Sequence, residues 1–395
     1  MPKAVIAPPA TRPAILDMPG LAAVLACLPR ARLVGGCVRD TLAGCPVADV
    51  DLATPDPPND ILAALSQAGL KAIPTGLAHG TITAISAGQA FEITTLRRDE
   101  ETDGRHARVA WTDDFAVDAA RRDFTINAMS MDRTGAVFDF HGGQADLAAG
   151  RVRFVGAAAA RIAEDHLRIL RFFRFYARYA AVPPDGATAM ALSAGTALLA
   201  QLSAERVWGE LRRILAAPDP GATLALMDRL GVLAAILPEA ADLATLARMV
   251  DAGVPADPVL RLSGLLTGSA ETVAARLRMS TAEARQLTLL LSPDVPALDA
   301  NDATLRRLLA DTESQILIGR LWRAQPGAAA LRARLAGMMR PVFPLQGRDA
   351  LAAGLPPGPG VGAALAEIRV WWRQGGCVAT KQACEHRLRD ILFQG

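Results

Sequence analysis

Strand signals stop near residue 157 of this 395-residue chain. Upstream, short apolar or alternating runs end in Gly-rich turns. Downstream, the sequence is rich in Ala, Leu and Arg, broken by Pro and Gly clusters at 183–186, 218–221, 253–258 and 354–360. That division predicts an α+β fold, a mixed-sheet head followed by an all-helical remainder. No fixed-period repeat competes with it. The length suits two to three domains, and we place them at 1–150, 151–215 and 216–395. Hydrophobic residues make up 51%, which excludes wholesale disorder. No stretch approaches the roughly 18 uncharged apolar residues of a membrane span. Prolines and charges occupy the first thirty residues, where a secretory signal would be apolar. The five cysteines form no CxxC pair, so a reducing compartment is expected, and the cytoplasm is the reading.

Within the head, residues 32–36 read as a strand ending in a Gly pair, 37–43 as a helical turn and 47–54 as a strand. Residues 80–86 and 90–96 read as a hairpin joined across 87–89. The polar stretch 97–115 reads as a long mobile loop, and 118–131 as helical. Residues 1–150 hold 13 Lys/Arg against 18 Asp/Glu, while 151–215 hold 10 Arg against 5 acids. An acidic segment followed by a basic one is compatible with metal binding beside phosphate binding, and equally with ordinary surface variation.

The stretch 33–54, LVGGCVRDTLAGCPVADVDLAT, carries the chemistry. Strand residues two apart share a face, with Cα atoms about 6.5–7 Å apart. Asp49 and Asp51 would thus project together. Such a pair repels unless a divalent cation lies between, and two cations can clamp an in-line phosphoryl displacement. Glu92, between Phe91 and Ile93, is placed to join as a third ligand. The plain alternative for an isolated D-x-D is a solvated strand face. Gly35 and Gly36 would let backbone N–H groups approach an anion at a helix start, with Arg39 returning to it. Alone, that pattern is equally a tight turn. Neither the Walker A ending nor the GxGxxG spacing is present.

GGCVRD followed ten residues later by DVD resembles the DNA polymerase β type nucleotidyltransferases. Further motifs follow in order: TGLAHGT at 75–81, FEITTLR at 91–97, DGRH at 103–106, RRDFTINAM at 121–129, DFHGGQADL at 139–147 and EDHLRILRFFRF at 164–175. Together they resemble the class II CCA-adding enzymes, a family shared by tRNA nucleotidyltransferases and bacterial poly(A) polymerases. The resemblance is dense over 33–180 and thin from 181 to 340.

It implies a nucleotidyltransferase head, then a helical neck, body and tail. It implies that Gly35, Gly36 and Arg39 hold the triphosphate, that Asp49 and Asp51 bind Mg²⁺, and that Glu92 helps activate the attacking hydroxyl. Arg122 would contact the nucleotide. Asp165, Arg168, Arg171 and Arg174 would form the nucleotide-selecting helix. On a single helix, Ile162, Ile169, Phe173, Tyr176 and Ala180 share one face and the arginines the other. Asp165 and Arg168, three apart, would then be surface neighbours offering an acceptor and donors to a base edge. The bland reading of the same spacing is a solvated salt bridge. Arg121 and Arg122 could likewise be solvated, with Asp123 as their partner.

The implied activity is template-independent addition of C, C and A to the 3′ end of tRNA, with CTP and ATP as substrates and tRNA as partner. The TGLAHGT segment favours that reading over a poly(A) polymerase. CC-only or A-only addition and a non-catalytic RNA-binding protein on the same fold remain alternatives. Nothing in the sequence fixes an oligomeric state.

Overall fold

The computed structural model describes residues 12–102 and 107–393. The chain forms two compact units, Met1–Pro238 and Glu239–Gly395.

The first unit opens with α1 (Leu21–Cys27), β1 (Arg32–Val34), α2 (Gly36–Leu42), β2 (Val50–Thr54) and α3 (Pro58–Gln67). Then come β3 (Lys71–Gly76), β4 (Thr81–Ser86), β5 (Gln89–Thr95), β6 (Arg97–Thr102) and β7 (Ala107–Trp111). After α4 (Phe115–Ala120), β8 (Ser130–Met131) and β9 (Val137–Phe138), helices take over: α5 (Gly143–Ala148), α6 (Ala158–Glu164), α7 (Leu167–Tyr179), α8 (Gly186–Ala194) and α9 (Ala204–Leu215). Seven strands form one mixed sheet in the order β3-β4-β5-β2-β1-β8-β9. Only its β2–β5 pair is parallel. The alternation in β4 and β5 buries Ile82, Ala84, Phe91 and Ile93 with Leu33, Leu52, Ile61 and Leu65, and turns the intervening residues to the open face. The β4–β5 turn is Ala87-Gly88, both at positive φ (49° and 77°), the twist two-residue hairpins prefer.

Three expectations need correction. Residues 97–111 are not a loop: β6 and β7 pair antiparallel from Arg97↔Trp111 to Thr102↔Ala107. The charged run Arg97–Thr102 has no apolar alternation to announce a strand. The DGRH motif at 103–106 lies outside the described residues. Residues 118–131 are not one helix either. After α4 the backbone extends, Phe124 bridges Phe154, and only Thr125–Asn127 turn as a 3₁₀ helix. The third correction is at Asp165, which has extended angles (φ −151°, ψ 109°) and separates α6 from α7.

Aromatic packing ties the RRDF turn to α7. The Phe124 ring lies 4.8 Å from Phe154 and 5.2 Å from Phe175, and Phe154 stacks on Phe172 at 5.8 Å. Ile162, Ile169 and Phe173 are buried as expected, but so are Phe172 and Phe175, whereas Tyr176 and Ala180 are only half-buried. The apolar face of α7 is broader than the sequence spacing suggested. Below the same turn, Gly143 passes so close to the Thr125 carbonyl that a Cβ would lie 2.2 Å from it. Buried Asp146 accepts from Thr125 Oγ1 at 2.6 Å.

In the second unit the described residues form helices, from Leu243–Asp251 to Lys381–Phe393. Trp372 is buried there with Ile368, Cys384 and Leu388, and Trp371 packs partly buried beside it, as core rather than as an exposed platform. No described helix is long and apolar enough to cross a membrane.

Candidate active site

Strand β1 gives way to Gly35, whose φ of +72° disfavours any side chain, and whose added Cβ would lie 2.9 Å from Arg122 Nη1. Helix α2 starts at once and buries Arg39, 7% exposed. Arg39 Nη1 donates to Asn127 Oδ1 at 2.6 Å, and its Nε and Nη2 donate to Asp40 at 3.0 Å. The guanidinium stands 4.5 Å from the Tyr179 ring centre and 5.0 Å from that of Phe175. The Tyr179 hydroxyl donates to Asp40. Burial, followed by that bond, pushes the phenol up to about 12.

On the next strand, Asp51 is in register with Glu92 across the parallel β2–β5 pair. Asp49 sits one residue before β2 begins. All three residues are exposed. Crowding of the Asp51 carboxyl by surrounding protein, then repulsion from Glu92, raises its pKa above the usual range; Arg122 opposes this and Asp49 adds to it. Among the described residues, no three His, Cys, Asp or Glu side chains converge as a metal-holding group. Asp49 lies ahead of the ladder that aligns Asp51 with Glu92. Mg²⁺ usually takes one or two carboxylates plus substrate phosphates, so the Asp49–Asp51 oxygens remain a suitable donor set.

Buried Asp118 accepts from Arg121 Nε at 2.8 Å and Arg122 Nη2 at 3.2 Å. Asp123 accepts from Asn127 Nδ2 at 3.0 Å and from Arg171 Nε at 2.8 Å. Burial alone would raise both carboxyls; the neighbouring arginines outweigh it and hold both below the usual range. Arg171 is raised in turn, the Asp123 charge overcoming its burial.

The expected Asp165–Arg168 side-chain pair is absent, because Asp165 stands outside helical geometry. Its carboxylate accepts from Arg206 of α9, while Arg168 donates to Glu164 and to the Arg161 carbonyl at 2.8 Å. Arg174 donates to Glu210 at 3.2 Å, and burial lowers its pKa to about 10 despite that partner.

A cleft of about 540 Å³ gathers most of these groups. Gly35, Gly36, Arg39, Asp51, Arg122, Asp165, Arg168, Arg171 and Arg174 line it; Asp49 and Glu92 do not. Seven arginines face three aspartates in that lining, an excess of positive charge suited to a polyanion. Its size is that of small-ligand sites in general. Arg206, Asn127 and Asp123 also line it. Asp123 and Asn127 were visible in the sequence only as neighbours of the Arg pair. Nothing at a distance of 41 residues connects Arg206 to Asp165.

Residues 31–153 match the family model described as the poly A polymerase head domain. Residues 184–243 match the one described as a probable RNA and SrmB-binding site of polymerase A. The chain is 36% identical over 362 residues to the mitochondrial CCA tRNA nucleotidyltransferase 1 of Homo sapiens, covering 87% of this chain and 83% of the relative. The mouse counterpart is 35% identical over 360 residues, with the same coverage. Among solved structures, the Bacillus stearothermophilus CCA-adding enzyme in complex with CTP superposes with a TM-score of 0.76 at 26% identity, over 94% of this chain and 97% of that one.

Proposed function

The chain belongs to the CCA tRNA nucleotidyltransferases, and from that membership we propose that it adds C, C and A to the 3′ end of tRNA from CTP and ATP, without a nucleic-acid template. The observation that carries the reading is one arginine-rich cleft lined at once by the Gly35–Gly36 turn, Asp51 and the Asp165–Arg168 segment. Its components supply a triphosphate seat, an acid at the reacting phosphorus and a base-reading edge.

Gly35, Gly36 and Arg39 hold the triphosphate, and Arg122 contacts the nucleotide. Asp165 presents a carboxylate acceptor and Arg168 guanidinium donors, which together can tell the Watson–Crick edge of cytosine from that of adenine. Arg171 and Arg174, each tied to a carboxylate behind it, orient that edge and balance phosphate charge. Asp49 and Asp51 would hold Mg²⁺. When bound, it lowers the pKa of the attacking 3′-hydroxyl and offsets charge on the departing pyrophosphate. Glu92, beside Asp51, accepts the hydroxyl proton. We assign 1–150 to the catalytic head, 151–215 to the neck and 216–395 to a tRNA-binding body and tail, whose phosphate contacts weaken with salt. The five unpaired thiols suit a reducing compartment, and the cytoplasm is our reading.

Nucleotide omission tests the proposal. A tRNA lacking CCA should gain two residues with CTP alone and none with ATP alone. Extension with ATP alone would favour the poly(A) polymerase reading that the head-domain match keeps open.

A further inference from the structure

In-line displacement puts the entering hydroxyl opposite the departing pyrophosphate. The strand order decides which side of the sheet that is. The Gly35–Gly36 turn and Arg39 follow β1, which flanks β2 on one side; β5, β4 and β3 extend in that order from the other. With the triphosphate over the β1–α2 turn, the acceptor must arrive across β5, β4 and β3.

That flank carries an open row. Asp51 is in register with Glu92, Glu92 with Thr83, and Thr83 with Ile73. Residues directly opposite in a ladder point to the same face, so one line of side chains leads from the acids to the sheet edge. The next row outward is Ala90, Ile85 and Lys71. The other face of these strands packs in the core. Glu92, Ile73 and Lys71 are exposed, and Thr83 and Ile85 half-buried. Thr75 Oγ1 lies 2.9 Å from Thr83 Oγ1. Leu77, 47% exposed, follows directly after β3. Apart from Asp51, none of these residues borders the arginine-lined cleft. The row begins at the Asp51 and Glu92 carboxylates, where phosphate is repelled. It ends at Ile73, three strand spacings away, about 14 Å, and Lys71 closes the neighbouring row two residues along β3. Hydroxyls and apolar side chains lie between.

We infer that this face is the seat of the acceptor's single-stranded 3′ end, with a backbone phosphate at Lys71, ribose hydroxyls beside Thr75 and Thr83, and base surface against Ile73 and Leu77. The inference rests on the transferase reading above and adds the path its second substrate takes.

An acceptor-stem minihelix lacking CCA tests it in steady-state assays with CTP and Mg²⁺. Lys71→Glu should raise KM for the minihelix about tenfold and leave KM for CTP within about twofold, and the salt dependence of minihelix binding should lose roughly one phosphate contact. Lys71→Arg should restore the acceptor KM. If the wild type extends the minihelix and Lys71→Glu leaves its KM unchanged, or raises both KM values alike, the path is wrong while the function stands. If the wild type extends nothing, the function fails and the path falls with it.

Discussion

Arg206 Nη2 bridges both carboxylate oxygens of Asp165, at 3.1 and 3.0 Å. A residue of α9 thus fixes the direction in which the acceptor between α6 and α7 presents its lone pairs. Arg206→Ala should leave Asp165 free to rotate. The expected result is a loss of about tenfold in C-over-A discrimination, equivalent to roughly 1.4 kcal/mol, with a smaller change in kcat for the preferred nucleotide. Single-nucleotide incorporation assays with CTP and ATP in competition would read it, and Arg206→Lys should recover only part of the loss, since an ammonium lacks the planar fork.

Tyr179 and Asp40 brace Arg39 from behind. Tyr179→Phe removes one hydrogen bond to a carboxylate, worth about 1 kcal/mol or more. KM for CTP and ATP should rise together, by about three- to tenfold, with little effect on which is chosen. Because the phenol is pushed up to about 12, it remains a donor at pH 7–10, and wild-type KM should show no inflection from it in that interval.

Asp51 illustrates a site that costs stability. Its pKa is raised by crowding and by Glu92, so the folded state disfavours its ionised form. A raised carboxyl destabilises the fold above its folded pKa, and the penalty fades as pH falls and the group protonates. Asp51→Asn should therefore abolish nucleotide incorporation yet raise the melting temperature at pH 7 in metal-free buffer by about 1–2 °C, while tRNA binding stays near wild type. Differential scanning calorimetry and filter binding separate the two effects.

Asp123 works in the opposite direction. Arg171 and Asn127 outweigh its burial and hold its pKa below the ordinary value near 3.8. Its contribution to stability is present above that ordinary value and is lost as pH falls through the lower, folded one. Asp123→Asn leaves Arg171 without its carboxylate, at a cost of about 2–3 kcal/mol at pH 7, discounted because that guanidinium stays partly solvated. Urea midpoints of variant and wild type should differ at neutral pH and converge as pH falls below the ordinary carboxylate range.

The sequence announces the parts of this site that depend on spacing along one element. Gly35-Gly36 with Arg39 follows from turn chemistry, and the outward placement of Asp51 and of Glu92 each from strand alternation; their meeting depends on the β2–β5 pairing. It misses what depends on partners elsewhere. Asp165 and Arg168 sit at an i,i+3 interval, yet the break at Asp165 sends one to Arg206 and the other to Glu164. The 97–111 hairpin was hidden because the run Arg97–Thr102 has no apolar alternation, and its strand is defined by pairing with a partner further along the chain. The extended turn at Phe124 was hidden because its partner, Phe154, is thirty residues away.

The most direct test is the length and composition of the product formed on a tRNA trimmed of its last three nucleotides, with CTP, ATP and Mg²⁺ all present. Mass spectrometry of the 3′ fragment should show C-C-A added and nothing further, however long the incubation. A growing ladder of adenylates, or an unextended tRNA, would contradict the account.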